Sequence, residues 1–190
     1  AVGLLRDNVS AIIGAMVIAP LLGPNVAMAF ATTLGDIDLL RRALMTNLVG
    51  VALAFLFAVA VGLIFRFDPL VPAIESRTRL GVGDILLALA AGTAGTLALT
   101  RGLSTAVIGV MVAVALVPPL VTAGLMFGAG QPVLATRALL LTGANVICVN
   151  LAGIVTFLAQ GVRPRSWWEA KRAKSATRRA TSIWVILLLL

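Results

Sequence analysis

Residues 11–44 read AIIGAMVIAPLLGPNVAMAFATTLGDIDLLRRAL, and residues 106–139 read AVIGVMVAVALVPPLVTAGLMFGAGQPVLATRAL. The two stretches align without a gap at an offset of 95 residues, and 13 of the 34 paired positions are identical. Much of that identity is apolar filler. The punctuation is more telling: Gly14 pairs with Gly109, Met16 with Met111, Pro24 with Pro119, Gly35 with Gly130 and Arg42 with Arg137. A duplicated apolar unit with a proline in each copy points to a transporter-like membrane core.

Composition agrees. Hydrophobic residues make up 61% of the chain and charged residues 12%, against about a half and a quarter in a soluble domain. No charge interrupts 8–34, 43–65, 85–100, 102–136 or 138–162. A helical span needs about 20 apolar residues, so the chain reads as a polytopic membrane protein. A soluble all-α core would need a polar face for water, and these stretches offer none.

The expected fold is all-α: a transmembrane helical bundle of about six spans. They are placed near Val9–Ala31, Ala43–Phe65, Val82–Thr100, Ser104–Phe127 and Val133–Gln160, with a last span beginning near Ser182. The first repeat then occupies 1–103 and the second 104–190. Three spans per repeat is an odd number, so the second copy enters the membrane from the opposite side, which makes an inverted repeat. The chain starts without Met and stops in IWVILLLL, too short a run to cross a bilayer. It is therefore expected to be part of a longer protein.

Arg163, Arg165, Lys171, Arg172, Lys174, Arg178 and Arg179 crowd one loop, which places it in the cytoplasm by the positive-inside rule. Trp167 and Trp168 stand beside these charges. The basic segment 163–181 is read as interfacial, on an anionic lipid headgroup surface. Nucleic acid would need the same charges, but the adjacent spans make lipid the simpler partner. The expected location is the prokaryotic inner cell membrane.

The candidate site is built on the two proline clusters, Pro20, Gly23, Pro24 and Asn25 in the first span and Pro118, Pro119 and Thr122 in the fourth. Proline removes a backbone donor and clashes with the preceding turn. Within hydrocarbon the freed carbonyls need other partners. One solution is a broken first and fourth helix, whose inner ends face a cavity and offer N–H groups to a polar or anionic solute. A simple kink is the other. Asn47, Asn145 and Asn150 are polar residues within the second and fifth spans. Amides in lipid face the bundle interior and either bond helix to helix or line a solute path. Asn145 and Asn150 are five residues apart and so lie on different helix faces. Arg42 and Arg137 precede spans at equivalent positions, either as membrane-edge markers or as paired anion attractors. Asp36 and Asp38 can pair locally with Arg41 and Arg42, and Asp84 suits the N-terminus of the third span.

Gly92, Thr93, Gly95 and Thr96 make the third span small-sided, which suits close helix packing and makes a homo-oligomer plausible. There is no His, and Cys148 is alone in an apolar run. Phosphate-cradling, HExxH, GxSxG and CxxC motifs are absent from the sequence, so no cofactor, metal or enzyme activity is expected. The expected function is a transporter- or channel-like core for a small polar or anionic solute. The alternative is a transmembrane receptor that binds a small ligand and signals to an attached soluble domain; a structural subunit is a third reading.

GAMVIAPLLGP (14–24), GDIDLLRRAL (35–44), IGVMVAVALVPPLVTAG (108–124) and NLAGIVTFLAQGVRP (150–164) together resemble the prokaryotic hydrophobic-domain membrane family named domain-of-unknown-function family 389. The resemblance runs over most of 10–164. It implies an integral membrane protein, often with an extra soluble domain, and brings no catalytic residues. Asn25 departs from that pattern, standing where an aliphatic residue is expected after Gly-Pro.

Overall fold

The computed structural model describes residues 1–17, 22–65, 71–79, 81–103, 105–162 and 182. Every element among them is α-helical: α1 (Val2–Leu5), α2 (Val9–Val17), α3 (Leu22–Leu34), α4 (Ile37–Ile64), α5 (Pro72–Glu75), α6 (Val82–Thr100), α7 (Thr105–Gly128) and α8 (Pro132–Ala159). The basic segment 163–181 and the body of the last expected span lie outside the described residues.

Local chemistry sets the boundaries. Gly35 adopts φ 68° and Gly130 φ 72°, the left-handed turn that glycine takes without a Cβ penalty. Behind Gly35, the Gly35 N–H donates to Thr32 O at 3.2 Å and the Asp36 N–H to Ala31 O at 2.9 Å. Behind Gly130, the Gly130 N–H donates to Phe127 O at 3.2 Å and the Gln131 N–H to Met126 O at 2.8 Å. The acceptors sit at the same offset as the glycines, so both helices end in the same motif. Asp36 then caps α4, accepting from the Leu39 N–H at 2.9 Å. Pro132 opens α8, where a missing N–H costs nothing. Asp84 likewise accepts from the Gly81 N–H at 3.1 Å and secures the start of α6. The local pairing open to Asp36 and Asp38 is not formed among the described residues. Asp36 faces its own helix, and the ion pair among the described residues joins Arg79 to Glu75.

The duplication continues into the helices. Both α4 and α8 are 28 residues long, and their first and last residues match at the sequence offset. α3 packs on α4 as α7 packs on α8; across the repeats, α4 packs on α7 as α8 packs on α3. The contacts themselves are paired. A methyl built on Gly124 would lie 2.5 Å from the Ala58 Cβ, and one on Gly153 would lie 2.8 Å from the Ala29 Cβ. Gly124 is the counterpart of Ala29, and Gly153 of Ala58. Gly62 meets the Leu125 backbone, while their counterparts Phe157 and Phe30 pack edge to face with centroids 5.3 Å apart.

α4, α6 and α8 are long and apolar enough to cross a membrane, and Val112–Gly128 of α7 is a shorter apolar helix. Their outward faces are apolar too: Leu53, Phe57, Leu63, Leu86, Val133 and Leu140 are all exposed. Such faces are stable against lipid and costly against water. The interior holds small side chains. Ala88, Ala91, Val112, Ala115, Leu116, Cys148 and Val149 form the core between α6, α7 and α8.

Two expectations are corrected. The fourth span is not broken at its prolines, because α7 runs on through Pro118 and Pro119. In the first span the counterpart of Pro118-Pro119 is Gly23-Pro24, within the first turn of α3, while residues 18–21 with Pro20 lie outside the described residues. The small face of α6 is also not left for self-association. A methyl on Gly92 would lie 2.5 Å from the Val149 carbonyl oxygen, and Thr96 is buried against the same helix. That face packs on α8 within the chain.

Candidate functional site: a buried asparagine relay

Four asparagines, at 25, 47, 145 and 150, are between 94% and 100% buried. They belong to α3, α4 and α8. Asn145 is the fourteenth of the 28 residues of α8, so it stands at mid-helix. Asn25 occupies the centre of the group. Its Nδ2 donates to Asn47 Oδ1 at 3.2 Å, and its Oδ1 accepts from Asn150 Nδ2 at 3.3 Å. One side chain on α3 thus links α4 of the first repeat to α8 of the second.

The direction of each amide is fixed by its surroundings. Asn150 Nδ2 also donates to the Val146 carbonyl at 2.9 Å. A carbonyl can only accept, so the atom facing it is nitrogen. Asn25 must then turn its oxygen to Asn150 and its nitrogen to Asn47. The relay runs one way, from Asn150 through Asn25 to Asn47.

Asn145 has a different task. Its Nδ2 donates to the Ala115 carbonyl at 2.8 Å. Ala115 lies four residues before Pro119, so its carbonyl is the acceptor that Pro119 leaves without a helical donor. The side chain from α8 replaces that donor and lets α7 continue through the proline pair. The sequence held the signal for this contact, since a proline names its orphan carbonyl four residues upstream.

Three buried polar atoms have no hydrogen-bond partner among the described residues: Asn145 Oδ1, Asn150 Oδ1 and Thr122 Oγ1. A buried polar group left unpaired costs about 1–3 kcal/mol. Two of the three are amide oxygens that can only accept. Of the amide hydrogens, Asn150 uses both, and Asn25 and Asn145 each use one on a named oxygen.

Residues 16–151 match the family described as Domain of unknown function (DUF389). The chain belongs to the DUF389 family. It is 37% identical over 185 residues to an uncharacterized protein of Methanocaldococcus jannaschii, a match that covers 97% of this chain and 58% of that relative. The chain thus spans little more than half the length of the relative it matches. No solved structure matches it.

Within this DUF389 chain, Asn25, which directly follows Gly23-Pro24, is the hub of the relay. Asn47, Asn145 and Asn150 join it or stand beside it on α8. Pro118, Pro119 and Thr122 are buried on α7, and Pro119 reaches the group through Ala115. Pro24 is half-buried in α3, and Gly23 is exposed. Pro20 lies outside the described residues. Arg42 and Arg137 are exposed, the sixth residues of α4 and α8. They are not gathered with the asparagines.

Proposed function

We propose that this DUF389 chain is the multi-pass core of a cell-membrane transporter or channel for a small polar solute, built as two inverted three-span repeats. The observation that carries the reading is the relay through Asn25. It lies at the packing of α3 on α8, one of the two matched interfaces between the repeats, and polar atoms within reach of mid-membrane are left unpaired beside it. Transport folds built from repeats place their sites where the repeats meet. Polar groups buried at that depth are costly unless they serve a function or meet water.

The unpaired amide oxygens favour a solute that donates hydrogen bonds, or a weakly hydrated cation, over an anion. Charged attraction at Arg42 and Arg137 would act only at the ends of the bundle.

The unbroken α7 favours a second reading, a structural core whose prolines only kink. Flux separates the two. The full chain is reconstituted in liposomes, and swelling is followed by light scattering in glycerol, urea and methylammonium. The transport reading expects faster entry of at least one probe and loss of that rate in Asn25→Leu with helicity retained. Unchanged entry of all three with the protein inserted rejects it. Thermal stabilisation by a probe without entry would instead support a receptor.

A further inference from the structure

Arg137 has no hydrogen-bond or ion-pair partner among the described residues. It sits on the exposed face of α8 between Val133 and Leu140, which are 65% and 64% exposed. These positions, four and then three residues apart, form one helical stripe. An exposed guanidinium on an otherwise apolar, outward-facing stripe suits an anionic partner at the membrane surface.

Depth says where such a partner would lie. A helix of 28 residues is about 42 Å long. The hydrocarbon core is about 30 Å thick, which leaves about 6 Å of a centred helix at each end. Arg137 is five residues beyond the first residue of α8, or about 7.5 Å along it. That is the boundary between acyl chains and headgroups.

The guanidinium opens into a pocket of about 270 Å³ lined by Thr78, Arg79, Arg137 and Leu140. Arg79 is held by Glu75 at 2.6 Å through one of its nitrogens, and its remaining N–H groups are free to donate. Thr78 is buried, and its hydroxyl donates to the Glu75 carbonyl at 2.8 Å. The pocket therefore brings together two guanidinium groups, a buried threonine and an exposed leucine.

We infer that Arg79 and Arg137 bind a phosphate group at this pocket. Guanidinium forks match the paired oxygens of phosphate. Leu140 belongs both to this pocket and to the exposed stripe of α8, where an acyl chain can lie. A phospholipid headgroup and a free phosphate offer the same oxyanion, and the test separates them. This site uses residues apart from the asparagine relay and stands or falls without it.

The full chain is taken from vesicles of phosphatidylcholine doped with phosphatidylglycerol, and retained lipid is counted by native mass spectrometry. Retention of phosphatidylglycerol should fall about tenfold in Arg137→Gln and in Arg79→Gln, as expected when one charge-assisted bidentate contact is lost. Arg101→Gln, at the other end of α6, should retain lipid as the native chain does. All three side chains are exposed, so circular dichroism should show unchanged helicity. Retention that survives excess inorganic phosphate assigns the pocket to lipid. Displacement by phosphate, with phosphate itself bound in lipid-free detergent, assigns it to the free ion. Native retention of both in the two pocket variants overturns the proposal, as does an equal loss in Arg101→Gln.

Discussion

The side-chain amide of Asn145 supplies the Ala115 carbonyl with the hydrogen bond that Pro119 cannot give, at 2.8 Å across the α7–α8 interface. A proline inside a helix costs about 3 kcal/mol or more when nothing compensates it. Here a neighbouring helix offsets part of that cost, and the two positions become one energetic unit.

The unit has a signature in a double-mutant cycle. Asn145→Leu should destabilise the chain by about 1–3 kcal/mol, because the Ala115 oxygen is then buried without a donor. In a Pro119→Ala background the backbone N–H of residue 119 returns, and the same substitution should cost much less. Melting midpoints of the four proteins in detergent give the coupling. Equal costs in both backgrounds would mean that Asn145 holds α7 in no way that depends on the proline.

The matched glycines give a second test. Gly124→Ala and Gly153→Ala each place a methyl within 2.8 Å or less of an alanine Cβ on the facing helix. Overpacking of this kind costs about 1–3 kcal/mol. Ala29→Gly should relieve the second, since it removes the opposing methyl, whereas Ala58→Gly should relieve the first only in part, because the Phe55 carbonyl oxygen also lies 2.7 Å from the added methyl. Crossed pairs should not rescue, and the melting midpoints of the singles and doubles decide it.

Gly35 and Gly130 close the two helix hairpins with positive φ. Replacing either by Ala should cost about 1–2 kcal/mol, the penalty for a Cβ in the left-handed region. Equal costs at the two positions, read from thermal unfolding, are expected because the turns share the same hydrogen bonds.

These equivalences mark what the sequence could convey. The offset of 95 residues between the repeats paired Gly35 with Gly130, which prove to close matching turns, and the third span placed at Val82–Thr100 is α6. The start of α4 was harder to read, because Asp38, Arg41 and Arg42 look like a loop by charge and are instead the first turns of a helix capped by Asp36. The asparagines were legible as interior residues, but not which of them meet. That depends on the rotation of α3 about its axis, which is set by packing between Ala29 and Gly153, residues distant in sequence. The broken fourth helix failed for a related reason. A proline pair reports the lost donors, and only the tertiary structure reports that Asn145 replaces one of them.

Asn25 allows stability and function to be pulled apart. Asn25→Leu leaves Asn47 Oδ1 without the donor it now has and Asn150 Nδ2 without one of its acceptors, so the single variant should lose about 1–3 kcal/mol. Replacing Asn25, Asn47 and Asn150 together by leucine removes every partner at once, and an apolar interface of similar shape can be close to neutral. The triple variant should therefore unfold nearer to the native chain than the single one does. If the relay lines a solute path, the triple variant should still fail to pass the probe that the native chain admits. A triple variant that is stable and conducts normally would place the path elsewhere in the bundle and leave the asparagines with a packing role alone.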